Sequence, residues 1–170
     1  MEAATHPTVI GPADGKLVTL QTLGVRFMIP GDDTDGRFSL VEHPIPPLSL
    51  AAPLHRHSRE DEYSFVLEGR MGALLGDDVV YAEAGDLVYK PRGQWHTFWN
   101  AGDEPCHILE IISPAGFERF FEELVDMGGV ANASPEQLEE LAGRYGHEFQ
   151  FDSVPELIER FGLVFPGEEI

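Results

Sequence analysis

His55 and His57 stand two residues apart in the run His55-Arg56-His57-Ser58-Arg59-Glu60-Asp61-Glu62. On an extended chain, residues two apart point to the same face, so the two imidazoles are presented together. Two imidazoles facing the interior of a sheet are poorly satisfied by water and well suited to a divalent metal. Glu62 opens the next extended run after a polar turn; folded back inward, it adds a hard anionic donor. His96 begins a further run after Pro91-Arg92-Gly93-Gln94-Trp95, where Pro91 and Gly93 set a tight turn. A single histidine at any of these places is an ordinary core or surface residue. Together, bracketed by turn residues, they point to metal chemistry.

The elements that must position these groups are short. From Lys16 to Ile112, apolar or alternating runs are broken by turn residues. The expected strands are Leu17 to Leu20, Val25 to Ile29, Phe38 to Val41, Leu48 to Leu54 and Glu62 to Leu67. Met71 to Leu75, Val79 to Ala82, Leu87 to Tyr89, His96 to Trp99 and His107 to Ile112 complete the set. Pro30-Gly31-Asp32-Asp33, Glu68-Gly69, Gly76-Asp77-Asp78 and Ala84-Gly85-Asp86 supply the turns. Closely spaced strands with no helices between them imply an all-β antiparallel sandwich or barrel.

The pattern changes after Ile112. Ser113-Pro114 reads as a helix start, Phe117, Phe120, Phe121, Leu124 and Val125 follow at helical spacing, and Gly128-Gly129 stops the helix. Ser134-Pro135-Glu136-Gln137 opens a second helix with a capping box, and Ser153 with Glu156 a third that ends at Gly162. The chain thus divides into a loose leader (1–15), a β-barrel (16–112) and a helical extension (113–170). The aromatic stripe of the first helix must be buried, against the barrel as a lid or against a partner subunit.

The two histidine segments resemble the paired signature motifs of the cupin superfamily. The first runs His55, one residue, His57, four residues, Glu62, six residues, Gly69; the second runs Gly85, five residues, Pro91, one, Gly93, two, His96, three, Asn100. The likeness covers about residues 40 to 112 and departs at Ser49, where the family's first motif usually opens with glycine. It implies a double-stranded β-helix, or jelly-roll, barrel with a C-terminal α-helical extension. It carries over His55, His57, Glu62 and His96 as ligands of one divalent transition metal, Fe, Mn, Ni or Co, and also Zn or Cu. Three imidazoles and one carboxylate leave octahedral positions open for reaction. The implied activity is that of small single-domain cupins related to quercetin dioxygenase: oxidation of a small organic substrate, with Glu62 both ligand and base. Non-redox lyase or isomerase chemistry on the same metal, and binding without turnover, stand as alternatives. A homodimer is expected by the same likeness.

Alternation along the strands places Ser64 and Val66 inward with Glu62, and Phe98 inward with His96. Val66 and Phe98, with Phe27, Phe38 and Tyr89, are candidates for an apolar substrate pocket or plain core. Trp95, Thr97 and Trp99 are expected outward or at a subunit interface, and Arg56 in a salt bridge. His6, His43, His107 and His147 are read as surface or core residues.

Composition narrows the partners. Eleven Lys and Arg stand against thirty Asp and Glu, a net charge of −19. Such a surface repels phosphate backbones and anionic lipid, which argues against nucleic acid and membrane as partners; a small-molecule substrate is what the cupin likeness implies. The single cysteine, Cys106, excludes an intrachain disulfide and is expected as a buried, inert thiol. With no signal-peptide pattern in Met1 to Gly15 and no bilayer-length apolar stretch, a cytoplasmic location is expected.

Overall fold

The computed structural model describes residues 8–165. Within them, β1 (Leu17–Leu20), β2 (Leu23–Ile29), β3 (Ser39–Ile45), β4 (Leu54–His57), β5 (Asp61–Glu68) and β6 (Arg70–Leu75) follow in order. They are succeeded by β7 (Asp78–Glu83), β8 (Leu87–Lys90), β9 (His96–Asn100) and β10 (Cys106–Ser113). The chain then forms α1 (Glu118–Asp126), α2 (Pro135–Arg144), β11 (His147–Gln150) and α3 (Val154–Phe161).

Two antiparallel sheets result, ordered β1-β2-β3-β10-β5-β8 and β11-β4-β9-β6-β7. This is the expected jelly roll, although the sheets face one another as an open pair and do not close into one hydrogen-bonded barrel. Strand β10 lies at the centre of the first sheet, paired with β3 and β5, and alternates cleanly: Cys106, Ile108, Glu110 and Ile112 are buried. They meet Val25, Val41, Val66, Met71 and Ala73 in the core between the sheets. Burial raises the Cys106 thiol to about 11, so it is protonated and unreactive.

The turns obey their glycines. Gly69 has φ +80°, and a Cβ there would stand 2.5 Å from the Pro105 carbonyl oxygen. Gly93 has φ +79°, and its N–H donates to the His57 carbonyl at 2.7 Å, tying the Pro91–Gly93 turn to β4. Leu48, with φ +50°, makes the unusual turn ahead of Ser49.

The region after β10 differs from its sequence reading in three respects. Ser113 ends β10, paired with Asp61, the Ser113–Pro114 peptide is cis, and the first helix begins at Glu118. Second, Ser153 does not cap α3. Its hydroxyl accepts from Leu54 N–H at 3.0 Å and donates to the Gln150 carbonyl at 2.6 Å. The capping box at Ser134 and Gln137 is formed as expected. Third, the extension is not wholly helical: β11 joins the second sheet, with His147 opposite His57 and Phe149 opposite His55.

The helices cover both ends of the problem that the sequence posed. Phe117, Phe120, Phe121 and Leu124 of the α1 region are buried in the main core. Helix α3 covers the outer face of the second sheet, where Leu157 and Ile158 join Leu50 and Trp99 in a second cluster. Trp99, expected outward or at a subunit interface, is therefore 1% exposed and stacked on Phe161 at 4.2 Å. Thr97 is likewise buried, its hydroxyl donating to the Ala52 carbonyl.

The expected leader falls partly outside the described residues, as does His6. From residue 8 onward it is anchored, since the Gly11 and Asp14 carbonyls accept from the Arg26 guanidinium. No helix is long and apolar enough to cross a membrane among the described residues.

Candidate metal centre

Strand alternation explains how the donors converge. His55 and His57 face inward from β4, and His96, paired across from His55, faces inward from β9. Glu62 faces inward from β5 in the opposite sheet. Ligand atoms of His55, His57, Glu62 and His96 all lie within 4.8 Å of one another, and all four side chains are buried. His57 Nε2 and His96 Nε2 stand 3.4 and 3.3 Å from Glu62 Oε2.

The opposite ring nitrogens are held by oxygens. His55 Nδ1–H donates to the Pro53 carbonyl at 2.7 Å, and His96 Nδ1–H to the Gln94 carbonyl at 3.1 Å. Both carbonyls lie two residues before their histidine, so local chain geometry fixes the tautomer and turns the Nε2 lone pair inward. His57 Nδ1 faces Glu60 Oε2 at 3.6 Å. Asp61 accepts from Arg92 N–H at 2.9 Å and from its guanidinium, clamping the turn before His96 onto the start of β5.

These residues fit a divalent cation. His57 Nε2 and His96 Nε2 are buried with no hydrogen-bond partner among the described residues. Leaving such a group unsatisfied costs about 1–3 kcal/mol, and a cation at the convergence point would satisfy both at once. Charges in the metal-free chain are strained in the same sense. Burial opposes the charged form of His57, yet the Glu62 carboxylate and Glu60 overcome it and raise the group to about 9. Burial alone would raise Glu62; the His57 and Lys90 charges instead hold its carboxyl well below the usual range. His55 is pushed well below 6.5 by burial and by His96 and His57, which leaves it neutral and ready to donate.

Two buried groups absent from the sequence reading complete the floor. Lys90 Nζ lies 2.9 Å from Glu110 Oε1 and 3.2 Å from Glu62 Oε2, and 4.5 Å above the Phe98 ring. Burial opposes its charge, but Glu110 and Glu62 raise it further, so the ammonium persists. Glu110 also accepts from Ser64 Oγ at 2.7 Å; burial pushes its carboxyl up to about 7 against the pull of Lys90. Strand alternation with the buried Val88 was the signal for Lys90.

His147, read from the sequence as a surface or core residue, is buried beside the cluster. It is 4% exposed and stacked on His57 at 4.2 Å between ring centroids. His43, also buried, donates through Nδ1–H to the Gly24 carbonyl at 2.8 Å, and burial lowers it to about 4.

A narrow apolar cavity of about 80 Å³ adjoins the donors, reaching from His55, Glu62, Lys90 and His147 out between phenylalanines 98, 117, 120, 121 and 149. Of the candidate pocket residues, Phe98 lines it. Val66 is 0% exposed and belongs to the core beneath. Tyr89 neighbours the inward Lys90, so alternation turns it outward, 49% exposed and stacked on Tyr63 at 5.1 Å. Phe27, beside a register shift in β2, lines a separate surface hollow with Ile29 and Pro30. Phe38 precedes β3 in a turn, where Thr34 Oγ donates to its carbonyl, and lies outside the cavity. Arg56 pairs with Glu148 at 2.9 Å and lies over Trp95.

A double-sheet jelly roll thus encloses a cluster of three histidines and one carboxylate able to hold a metal ion. Residues 42–112, which carry all four donors, match the family described as a cupin domain. The chain is 30% identical over 60 residues to the tetracenomycin polyketide synthase protein TcmJ of Streptomyces glaucescens, a match covering 35% of this chain and 40% of that protein. It is 33% identical over 75 residues to the oxidoreductase iacF of Pestalotiopsis fici, covering 35% of this chain and 37% of the other. The matches thus span about two fifths of these relatives' lengths. The structure of the polyketide cyclase RemF from Streptomyces resistomycificus superposes with a TM-score of 0.54 at 28% identity, over 64% of this chain and 80% of that one.

Proposed function

We propose that this protein is a metal-dependent enzyme acting on a small aromatic or enolisable molecule, and that the reaction is an oxidation by O₂. The observation that carries the reading is that two of the four donors, His55 and Glu62, line a cavity walled by phenylalanine rings. A flat apolar body fills such a cavity by dispersion and burial, while a single oxygen reaches the cluster. The likeness to proteins named for polyketide chemistry and for oxidoreduction supports this substrate class and this reaction type.

A divalent metal held by His55, His57, Glu62 and His96 would polarise the substrate oxygen and stabilise negative charge developing there. The chain's own residues do the rest. Lys90, 3.2 Å from Glu62, adds a permanent positive charge beside that oxygen and keeps Glu62 ionised. A carboxylate held so low binds a cation well and accepts protons poorly, so the ligand role of Glu62 dominates over its role as base. Phe117, Phe120 and Phe121 shut out bulk water, which strengthens every charge interaction inside.

A second reading, non-redox cyclisation, dehydration or isomerisation at the same cluster, is favoured by the likeness to RemF. Protein reconstituted separately with Fe(II), Mn(II), Ni(II) and Co(II) is incubated with flavonols and 1,3-diketones, with and without O₂. Turnover that stops without O₂, with O₂ consumed, supports oxidation. Turnover unaffected by anaerobiosis selects the second reading, and tight binding without product selects neither.

A further inference from the structure

His147 lines the cavity as a polar group that has neither a hydrogen-bond partner among the described residues nor a share in the donor cluster. Both its ring nitrogens are buried and lack a hydrogen-bond partner among the described residues. Rings enclose it: His57 at 4.2 Å, His55 at 5.0 Å, Phe149 at 4.1 Å and Phe117 at 4.6 Å between centroids. Its edge lines the same cavity that reaches Glu62 and Lys90. The position is built with care. β11 places His147 opposite His57, and the Gly146 carbonyl accepts from Ser58 N–H at 2.8 Å.

A residue needed only to fill this space would be phenylalanine or leucine, which leave no polar atom stranded. An imidazole with both nitrogens idle is suited to a ligand that arrives later. A neutral imidazole offers one donor and one acceptor, which a hydroxyl or an enol satisfies. Its ring lies beside the cluster without joining it, so it meets a second polar group of a molecule whose first oxygen is at the cluster.

We infer that His147 is a substrate-positioning and specificity residue, and that the ligand is an aromatic or enolic molecule carrying two separated oxygen functions. One oxygen reaches the His55, His57, Glu62 and His96 cluster; the other hydrogen-bonds His147. This inference rests on the proposed function and narrows its substrate class. It also explains why the extension beyond the matched cupin residues returns a strand to the sheet.

The probes are phenol, resorcinol and hydroquinone, titrated into the full-length protein loaded with Co(II), whose visible spectrum reports the donor set. The two diols cannot chelate one cation, so a preference for either over phenol reports a second contact. In the wild type, the better diol is expected to bind about tenfold more tightly than phenol. In His147→Phe, and in His147→Leu as a second apolar variant, that preference should vanish while phenol affinity, Co(II) content and spectrum stay unchanged. His147→Gln, which keeps a donor and an acceptor, should restore part of it.

A diol preference that survives in either apolar variant overturns the assignment, as does its absence in the wild type. Loss of Co(II) or an altered spectrum in both apolar variants also overturns it, making His147 a metal ligand or a structural residue. Wild type that holds Co(II) but binds none of the three probes sinks the proposed function itself, and this inference with it.

Discussion

Lys90 Nζ and Glu110 Oε1 meet at 2.9 Å in the interior of the jelly roll, each side chain 1% exposed. Neither residue is among the four donors, yet both face the same floor, because Lys90 lies opposite Glu62 and Glu110 opposite Ser64 in the strand register. Breaking a buried pair by removing one partner typically costs about 3–5 kcal/mol, since the other charge is left without compensation. Lys90→Met should therefore lower unfolding stability by about that much, and the Lys90→Met, Glu110→Gln double variant should recover most of the loss. Urea titration of the four members of this cycle measures the coupling. Simple additivity of the two single effects would remove the pair from the account.

His57→Ala and His96→Ala each delete a donor whose Nε2 lies within 3.4 Å of Glu62 Oε2. Each should drop bound metal from about one per chain to under a tenth after dialysis, because loss of one strong donor weakens a divalent site by orders of magnitude. Elemental analysis of the purified variants reads this directly. Full metal retention in both would mean that the convergence of these side chains serves something else.

Helix α3 holds the outer face of the second sheet through the stack of Phe161 on Trp99. Phe161→Ala should cost about 2 kcal/mol, below the range for a fully buried ring because Phe161 is only half-buried. In a Trp95→Phe background, emission from Trp99 should shift to the red as water reaches the indole. Unchanged emission would show that other residues of α3 suffice to cover it.

The strands were legible because burial alternates along them. On β10 every second residue is buried, and the two histidines of β4 share a face for the same reason. The four donors could be found because each is tied to a turn whose glycine or proline has a fixed spacing from it. What resisted reading was long-range. Lys90 had no place in the sequence reading: its strand phase puts it on the face of Val88, but nothing local shows that two carboxylates from β5 and β10 will enclose it. β11 has only four residues, HEFQ, set between helical signals, and its pairing with β4 depends on contacts about ninety positions away. Tyr89 was misplaced for the complementary reason: its aromatic character suggested a pocket wall, while its strand phase turned it outward.

Acidity should separate the metal-free and metal-bound proteins. In the metal-free chain His57 is raised to about 9, above its unfolded value near 6.5. A group raised in the folded state contributes stability that is fully present below about pH 6.5 and is lost as pH climbs through about 9. Unfolding stability of the metal-free protein should therefore fall across that window. Metal binding runs the other way. A cation can take His57 Nε2 only after its proton leaves, so apparent affinity should rise by up to about tenfold per pH unit below 9 and level off above it. Melting curves from pH 6 to 10, recorded with and without saturating Mn(II), test both slopes. The His57→Gln variant should flatten the metal-free slope. Parallel slopes with and without metal would contradict proton displacement at His57 and place the cation elsewhere.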